Sequence, residues 1–104
     1  MDREMARKKL PPMHPGEVLR EEFLVPLGMT AHALSQAIHV PATRVNDIVN
    51  GRRGVTADTA LRLARYFGNS PEFWLNLQAA HDLRAAEREV AARIEREVLP
   101  RAPA

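Results

Sequence analysis

Apolar residues recur at intervals of three and four in five segments of the chain, and prolines, glycines and capping residues separate those segments. This spacing places the apolar side chains of each segment on one face of an α-helix. Very little of the chain shows the alternation of apolar and polar residues that is typical of a half-buried β-strand. The pattern therefore predicts an all-α domain of five helices joined by short turns.

The first two predicted helices are bounded by residues with strong positional preferences. Pro15 stands near the start of the first helix, where its missing N–H costs nothing. Pro26 is expected to stop that helix, and Gly28 to complete the turn that follows. Thr30 then provides an N-cap for a short second helix over residues 31–38.

The other three predicted helices are separated in the same way. Pro41 opens a third helix that runs to about Asn50. A fourth helix covers residues 57–67, between a threonine cap and a glycine stop. A fifth helix starts at Pro71 and can remain helical to Leu99, where a proline follows.

These elements divide the chain into three parts. Residues 1–13 show no helical period and are predicted to form a flexible N-terminal arm. Residues 14–70 are predicted to form a helix-turn-helix domain. Residues 71–104 are predicted to form a long C-terminal helix and tail, which complete the core and mediate dimerisation.

The stretch from Ala31 to Gly51 has the spacing of a helix-turn-helix, in which two short helices are joined by a turn of three or four residues. Ser35 is small where the two helices must approach closely, and His39 falls in the turn. The apolar residues that lock the helices together are Leu34, Ile38, Val40, Val45 and Ile48. Because the major groove of DNA admits one α-helix, the motif predicts DNA binding through the third predicted helix.

The exposed face of that third helix supplies polar side chains that suit base edges. Asparagine bonds adenine bidentately, threonine meets a base edge or a thymine methyl group, and aspartate accepts from cytosine. Its arginine can reach either a guanine or a phosphate. The expected base-contacting residues are Thr43, Arg44, Asn46, Asp47 and Asn50.

Phosphates of the DNA backbone are expected beside the same helix. The N-terminus of the preceding helix and the basic loop after the motif both present donors to an anion. The expected phosphate-contacting residues are Thr30, Gln36, Arg52 and Arg53.

The net charge of +2, from 15 basic and 13 acidic side chains, argues at first against a nucleic-acid partner. The distribution of the charges removes that objection. Residues 30–56 carry three arginines against one aspartate, whereas residues 14–29 carry three glutamates against one arginine. Residues 71–104 carry six acidic side chains against five arginines. Positive charge is therefore concentrated around the predicted groove-binding helix.

The composition excludes several classes of site. No cysteine is present, so disulfides, thiolate metal sites and cysteine nucleophiles are excluded. The four histidines lack the spacing of a metal site, and no phosphate-binding glycine loop is found. We therefore expect no enzymatic activity, no metal and no cofactor. No apolar stretch is long enough to span a membrane and no secretion signal is found, so a cytoplasmic location is expected.

Three pieces of the sequence are more specific than helix-turn-helix spacing alone. They are residues 14–17 (HPGE), 45–53 (VNDIVNGRR) and 70–78 (SPEFWLNLQ). With them, residues 14 to about 83 resemble the HigA family of antitoxins, within the xenobiotic-response-element (Cro/CI-like) helix-turn-helix class. A position that is often glycine in such motifs is His39 here, which predicts either a histidine at positive φ or a slightly different turn.

The resemblance implies more than a fold. It implies a five-helix repressor that forms a homodimer, binds a palindromic operator in double-stranded DNA and represses its own operon. It also implies that the protein is the antitoxin of a type II toxin–antitoxin module and neutralises a RelE-like ribonuclease toxin of the HigB type.

The last predicted helix is longer than so small a core can cover, at about 44 Å if it is unbroken. Its later part must lie back along its own domain, pair with a second subunit or bind a partner. DNA geometry favours a dimer, because two-fold symmetric dimers bind half-sites about 34 Å apart. The expected dimer-interface residues are Trp74, Leu77, Val90 and Ile94, of which Trp74 and Leu77 suit a core position equally well.

Two alternatives to an antitoxin remain at this point. One is a solitary Cro/CI-like regulator without a toxin. The other is a protein-interaction module that does not bind DNA, in which the polar face of the third helix is merely solvated. If a toxin exists, we expect a small basic protein, and the N-terminal arm, the first helix and the C-terminal helix are all candidates for its binding surface.

Overall fold

Five helices follow one another along residues 13–102, the part of the chain that this computed structural model describes. α1 consists of three consecutive segments, Pro15–Val18, Leu19–Leu24 and Val25–Leu27, and is followed by α2 (Ala31–Ile38), α3 (Ala42–Val49), α4 (Ala57–Phe67) and α5 (Pro71–Glu97). The described residues contain no strand, which confirms the predicted all-α fold. The predicted flexible arm, apart from Met13, lies outside them. Within residues 13–102, no helix combines the length and apolar character required to cross a membrane.

α1 continues past Pro26, so the prediction that this proline stops the helix is wrong. The middle segment, Leu19–Leu24, is π-helical, and the N–H of Val25 donates to a carbonyl five residues back. In an α-helix, a proline lacks the N–H for the bond and its ring crowds the carbonyl four residues earlier. The wider π turn accommodates the ring. α1 ends at Leu27, and Gly28 follows in the left-handed conformation (φ 61°).

Side-chain caps define the starts of α2, α4 and α5, and those of α2 and α4 are the threonines predicted. The Oγ1 of Thr30 accepts from the N–H of Ala33 at 3.0 Å. Thr56 and Ser70 accept in the same way from the third residues of α4 and α5. Each cap satisfies an N–H that has no acceptor within its helix. α5 ends at Glu97, two residues earlier than predicted.

The core is mainly aliphatic, with one large aromatic residue among its most deeply buried members. Its buried apolar residues are Leu19, Leu24, Leu34, Ile38, Val45, Ile48, Val55, Ala60, Leu63, Ala64 and Trp74. Trp74 has 0% of its surface exposed, and its Nε1–H donates to the Oδ1 of Asn69 at 3.0 Å. The rings of Phe23 and Phe67 lie beside it, with centroids 5.1 and 6.3 Å away.

The assignment of Trp74 to a dimer interface is wrong, because a side chain without exposed surface cannot contact a second subunit. Its neighbour Phe73 is 38% exposed. Adjacent residues on a helix point about 100° apart, so only one of the two faces the core. Leu77 is half-buried and packs against the core, whereas Val90 is half-buried and Ile94 exposed farther along α5.

α5 is continuous over 27 residues, and the described molecule is 53 Å long. Its first part packs against α4 and α1. There the Oε1 of Gln78 accepts from the N–H of Val55 at 2.7 Å, which ties α5 to the loop before α4. A continuous helix does not fold back along its own domain, so this alternative is excluded. The later part of α5 is left for a second subunit or another partner.

The start of α1 is held by His14, which lies between α1 and α5. Its Nδ1 accepts from the N–H of Gly16 at 2.9 Å, and its ring packs edge-on to His81 with centroids 4.9 Å apart. Desolvation by burial, followed by the charge of His81, lowers the pKa of His14 against the opposing effect of Asp82 and Glu17. The lowered pKa favours the neutral imidazole, the form in which Nδ1 accepts this bond.

Gly16 brings the backbone of α1 directly against the backbone of α3. A Cβ at this position would overlap the carbonyl oxygen of Ile48 and lie 3.0 Å from the Cα of Val49. The obstructing atoms belong to a helix backbone and not to the flexible end of a side chain. α1 and α3 therefore take this separation only with glycine at position 16.

We expect Gly16→Ala to lower the free energy of unfolding by about 3 kcal/mol, because two packed helices must separate to admit the methyl group. Gly28→Ala is the matched control. Gly28, unlike Gly16, has a left-handed conformation that favours glycine, but nothing lies within 4 Å of its missing Cβ. It should cost only about 1 kcal/mol of backbone strain. Urea unfolding followed by circular dichroism measures both losses, and equal losses would contradict the steric argument.

Candidate nucleic-acid interface

The turn between α2 and α3 holds the two helices in a fixed relation. His39 ends α2 in the left-handed conformation, with φ 60° and ψ 50°. This confirms the first of the two alternatives predicted for this histidine. The N–H of Val40 donates to the carbonyl of Ser35 at 3.0 Å and closes the turn. Ser35 is only 2% exposed, as expected for a small residue at the crossing of two helices.

Arg62 of α4 braces the same turn, and the sequence analysis did not identify it. Its Nη1 donates to the carbonyls of Ile38 at 2.9 Å and His39 at 3.3 Å. Its Nε donates to the Oδ1 of Asp58 at 2.8 Å. The last carbonyls of a helix have no N–H donor within the helix, and this guanidinium supplies donors to them. The pairing with Asp58 follows from the i, i+4 spacing, but the contact with α2 joins residues far apart in sequence.

α3 buries one face and exposes the other. Val45 and Ile48 are each 1% exposed and pack into the core. Three of the expected base-contacting side chains are exposed on the outward face: Thr43, Asn46 and Asn50. Arg44 and Asp47 are half-buried. The structure thus brings the expected residues together on one helix, but it does not expose them equally.

The two asparagines on the outward face bond to their own helix. The Nδ2 of Asn46 donates to the carbonyl of Ala42 at 3.2 Å, and the Nδ2 of Asn50 donates to the carbonyl of Asn46 at 2.8 Å. Each amide nitrogen has a second hydrogen, and each amide oxygen is an acceptor. Both side chains therefore keep one donor and one acceptor, the pair that matches the major-groove edge of adenine.

Asp47 and Arg52, expected to contact a base and a phosphate respectively, contact each other. The Oδ1 of Asp47 accepts from the Nη2 of Arg52 at 3.2 Å and lies 3.4 Å from its Nε. The arginine side chain is 64% exposed. Exposed ion pairs contribute at most about 1 kcal/mol, so a DNA phosphate can compete for this guanidinium.

The other expected phosphate-contacting residues lie on α2 and in the loop after α3. Thr30 and Gln36 are exposed. The Thr30 hydroxyl accepts as the cap of α2 and still has a hydrogen to donate. Arg53 is exposed in the loop, and it lines a cleft of about 410 Å³ together with Arg44 and the start of α4.

Comparison with known proteins gives the same fold. Residues 19–74 match the helix-turn-helix family. The chain is 55% identical over 83 residues to virulence-associated protein I of Dichelobacter nodosus, which covers 80% of this chain and 77% of that protein. It is 48% identical over 80 residues to antitoxin HigA-1 of Vibrio cholerae, which covers 76% of this chain and 74% of that antitoxin.

A solved structure extends the likeness to three dimensions. The Pseudomonas aeruginosa antitoxin HigA, solved with the higBA promoter, superposes with a TM-score of 0.84 at 47% sequence identity. The superposition covers 86% of this chain and 97% of that one. The chain therefore belongs to the helix-turn-helix family and, within it, to the HigA-type antitoxins.

Proposed function

We propose that this protein is a sequence-specific transcriptional repressor and the antitoxin of a type II toxin–antitoxin module. The observation that carries the proposal is the outward face of α3, where Thr43, Asn46 and Asn50 are exposed above the buried Val45 and Ile48. A polar face on a rigidly packed helix suits the major groove. The likeness to a HigA solved with promoter DNA supports the same role here.

The groups around α3 suit the DNA backbone. Hydrogen-bond donors lie before and after α3 in the sequence. Thr30 and Gln36 are at the start of α2 and within it, and Arg52 and Arg53 are in the loop after α3. Contacts with phosphates set the register and the orientation of a protein on the duplex, but they carry no sequence information themselves. The proposal therefore assigns specificity to α3 and positioning to these four residues.

A homodimer completes the DNA-binding unit. α3 has only 8 residues, so one subunit contacts only a few base pairs. The later part of α5 leaves apolar side chains in solvent, with Leu83 62% and Ile94 47% exposed, and Val98, just beyond the helix, is 63% exposed. Val90 lies on the same side of the helix as Ile94, four residues earlier. Leu83, Val90 and Ile94 form the apolar stripe of α5. Packing of this stripe against the same stripe of a second subunit removes these side chains from water, and the resulting symmetric dimer suits a two-fold operator.

The toxin partner of the proposal is a small basic ribonuclease of the RelE-like, HigB type. The relation to the V. cholerae antitoxin supports such a partner. The charge of α1 is consistent with it, because Glu17, Glu21 and Glu22 are exposed near a single arginine. A repressor of its own operon acts at the DNA, which places the protein in the cytoplasm.

Thr43→Ala combined with Asn46→Ala should weaken binding to the DNA upstream of the protein's gene by about 30-fold or more, because each base contact contributes roughly 1–3 kcal/mol. Gel-shift titration measures this loss. The matched control, Asn76→Ala, removes an exposed amide from α5 and should bind as the wild type does. A wild-type footprint without two-fold symmetry, or unchanged binding by the double variant, would contradict the proposal.

Ile94→Glu should weaken dimerisation at least about tenfold, because it places a charge within the apolar stripe of α5. Ala92→Glu adds the same charge on the opposite side of the helix and should leave the dimer intact. Analytical ultracentrifugation over a range of concentrations distinguishes the two. A dimer that tolerates Ile94→Glu as well as Ala92→Glu would show that this stripe is not the interface.

Expression of the product of the neighbouring gene alone should arrest growth, and coexpression with this protein should restore it. The Thr43→Ala/Asn46→Ala variant should restore growth equally well, because its changes lie on the DNA-binding face. Copurification of the two proteins checks direct binding. A neighbouring product that neither arrests growth nor binds would favour a solitary regulator.

A further inference from the structure

A cleft between α3 and the start of α4 concentrates positive charge beside the proposed DNA-binding face. We call it the α3–α4 cleft; its volume is about 410 Å³, and Arg44, Arg53 and Arg62 all line it. Asp58 is the one carboxylate in its lining, and it already accepts from Arg62 at 2.8 Å. Three guanidinium groups against one carboxylate leave the cleft with an excess of two positive charges.

Arg44 brings a buried, unpaired donor to the cleft. Its Nε is buried and has no hydrogen-bond partner among residues 13–102. A buried donor of a charged group destabilises the folded protein when it has no acceptor, so an acceptor for this Nε is expected. Neither the carboxylate of Asp58 nor any other within the described residues forms an ion pair with this arginine. An anion in the cleft is the acceptor that this excess of positive charge favours.

The groups that line the cleft suit a tetrahedral oxyanion. Guanidinium groups bind phosphate oxygens in bidentate fashion. The hydroxyl of Thr56, whose side chain caps α4, lies in the same lining at the N-terminus of that helix, where the helix dipole favours negative charge. Arg44 follows Thr43 directly on α3, so an anion in the cleft lies beside the base-contacting positions. In a helix-turn-helix complex, the groups flanking the recognition helix meet the DNA backbone.

We propose that the α3–α4 cleft binds a backbone phosphate of the operator, and that Arg44 is a phosphate ligand together with Arg53. This resolves the choice left by the sequence, in which Arg44 suited either a guanine or a phosphate. The inference rests on the proposed DNA binding. It assigns the contribution of Arg44 to affinity and positioning, and it removes this residue from the set that determines the operator sequence.

Arg44→Ala should weaken binding roughly 10- to 100-fold, the range expected for a lost charge-assisted contact. The fold loss of affinity should be the same for the operator, for operators with single base-pair changes and for unrelated duplex DNA. The slope of log Kd against log salt concentration should fall by about one. Arg88→Ala, which removes an exposed arginine from α5, is the matched control and should change neither quantity. A loss confined to the operator, with altered preference at one base pair, would instead make Arg44 a base-contacting residue.

Methylphosphonate substitution locates the contact independently of folding effects. Neutralising each operator phosphate in turn should identify one that weakens wild-type binding but has no further effect on Arg44→Ala. Arg44→Lys, which keeps the charge, should retain sensitivity to that phosphate and lose only a few-fold in affinity. If no phosphate behaves in this way while the wild type binds its operator, the inference fails and the proposed function stands. If the wild type shows no sequence preference, the proposed function itself fails.

Inorganic phosphate distinguishes a free anion from the DNA backbone. The Nε–H resonance of Arg44 should shift when operator DNA is added, and DNA should displace any phosphate bound there. Saturation of that shift by inorganic phosphate at millimolar concentration, without displacement by DNA, would assign the cleft to a free anion and overturn the inference.

Discussion

The fixed connection between α2 and α3 is the constraint on which the rest of the molecule depends. His39 takes a left-handed conformation there, and the carbonyls that α2 leaves unpaired accept from Arg62 of α4. One guanidinium thereby joins α4 to the end of α2, at the turn that leads into α3. A change in this turn would shift the outward face of α3 relative to the groups proposed to meet the DNA backbone. The candidate interface thus depends on a residue outside the proposed base-contacting set.

α3 is held from a second direction by α1. Gly16 lets the two backbones approach until a single added carbon would overlap Ile48, and Val45 and Ile48 anchor the inner face of α3 in the core. A helix fixed on several sides presents its outer side chains with little conformational freedom left to lose on binding. This accounts for how a polar helix of 8 residues can serve as a recognition surface.

α5 has two environments along one continuous helix. Its first turns place Trp74 in the core, and Gln78 accepts a hydrogen bond from the loop before α4. Its later turns extend beyond the core with Leu83 and Ile94 in solvent. The rigidity of the buried part fixes the direction of the exposed part. A second subunit that pairs along the exposed part is therefore held in a defined orientation relative to α3, which a two-fold operator requires.

Most helix boundaries were predictable because the signals for them are local. Thr30, Thr56 and Ser70 cap the N–H of a residue three positions ahead, and the conformation of His39 was one of two expected for its place in the turn. The candidate interface was predictable to the same extent, since the spacing of Val45 and Ile48 determines which side chains of α3 point outward.

The sequence by itself determined the five helices, the helix-turn-helix and the polar face of α3, because periodicity and capping act over a few residues. Only the tertiary structure decided that α1 passes through Pro26, that Trp74 and not Phe73 is buried, and that Arg62 braces a distant turn. It also placed Arg44 in a cleft with other arginines. These outcomes depend on which helix faces meet and on which polar atoms remain unpaired when they do. Such contacts join residues far apart in the chain, and the local pattern carries no record of them.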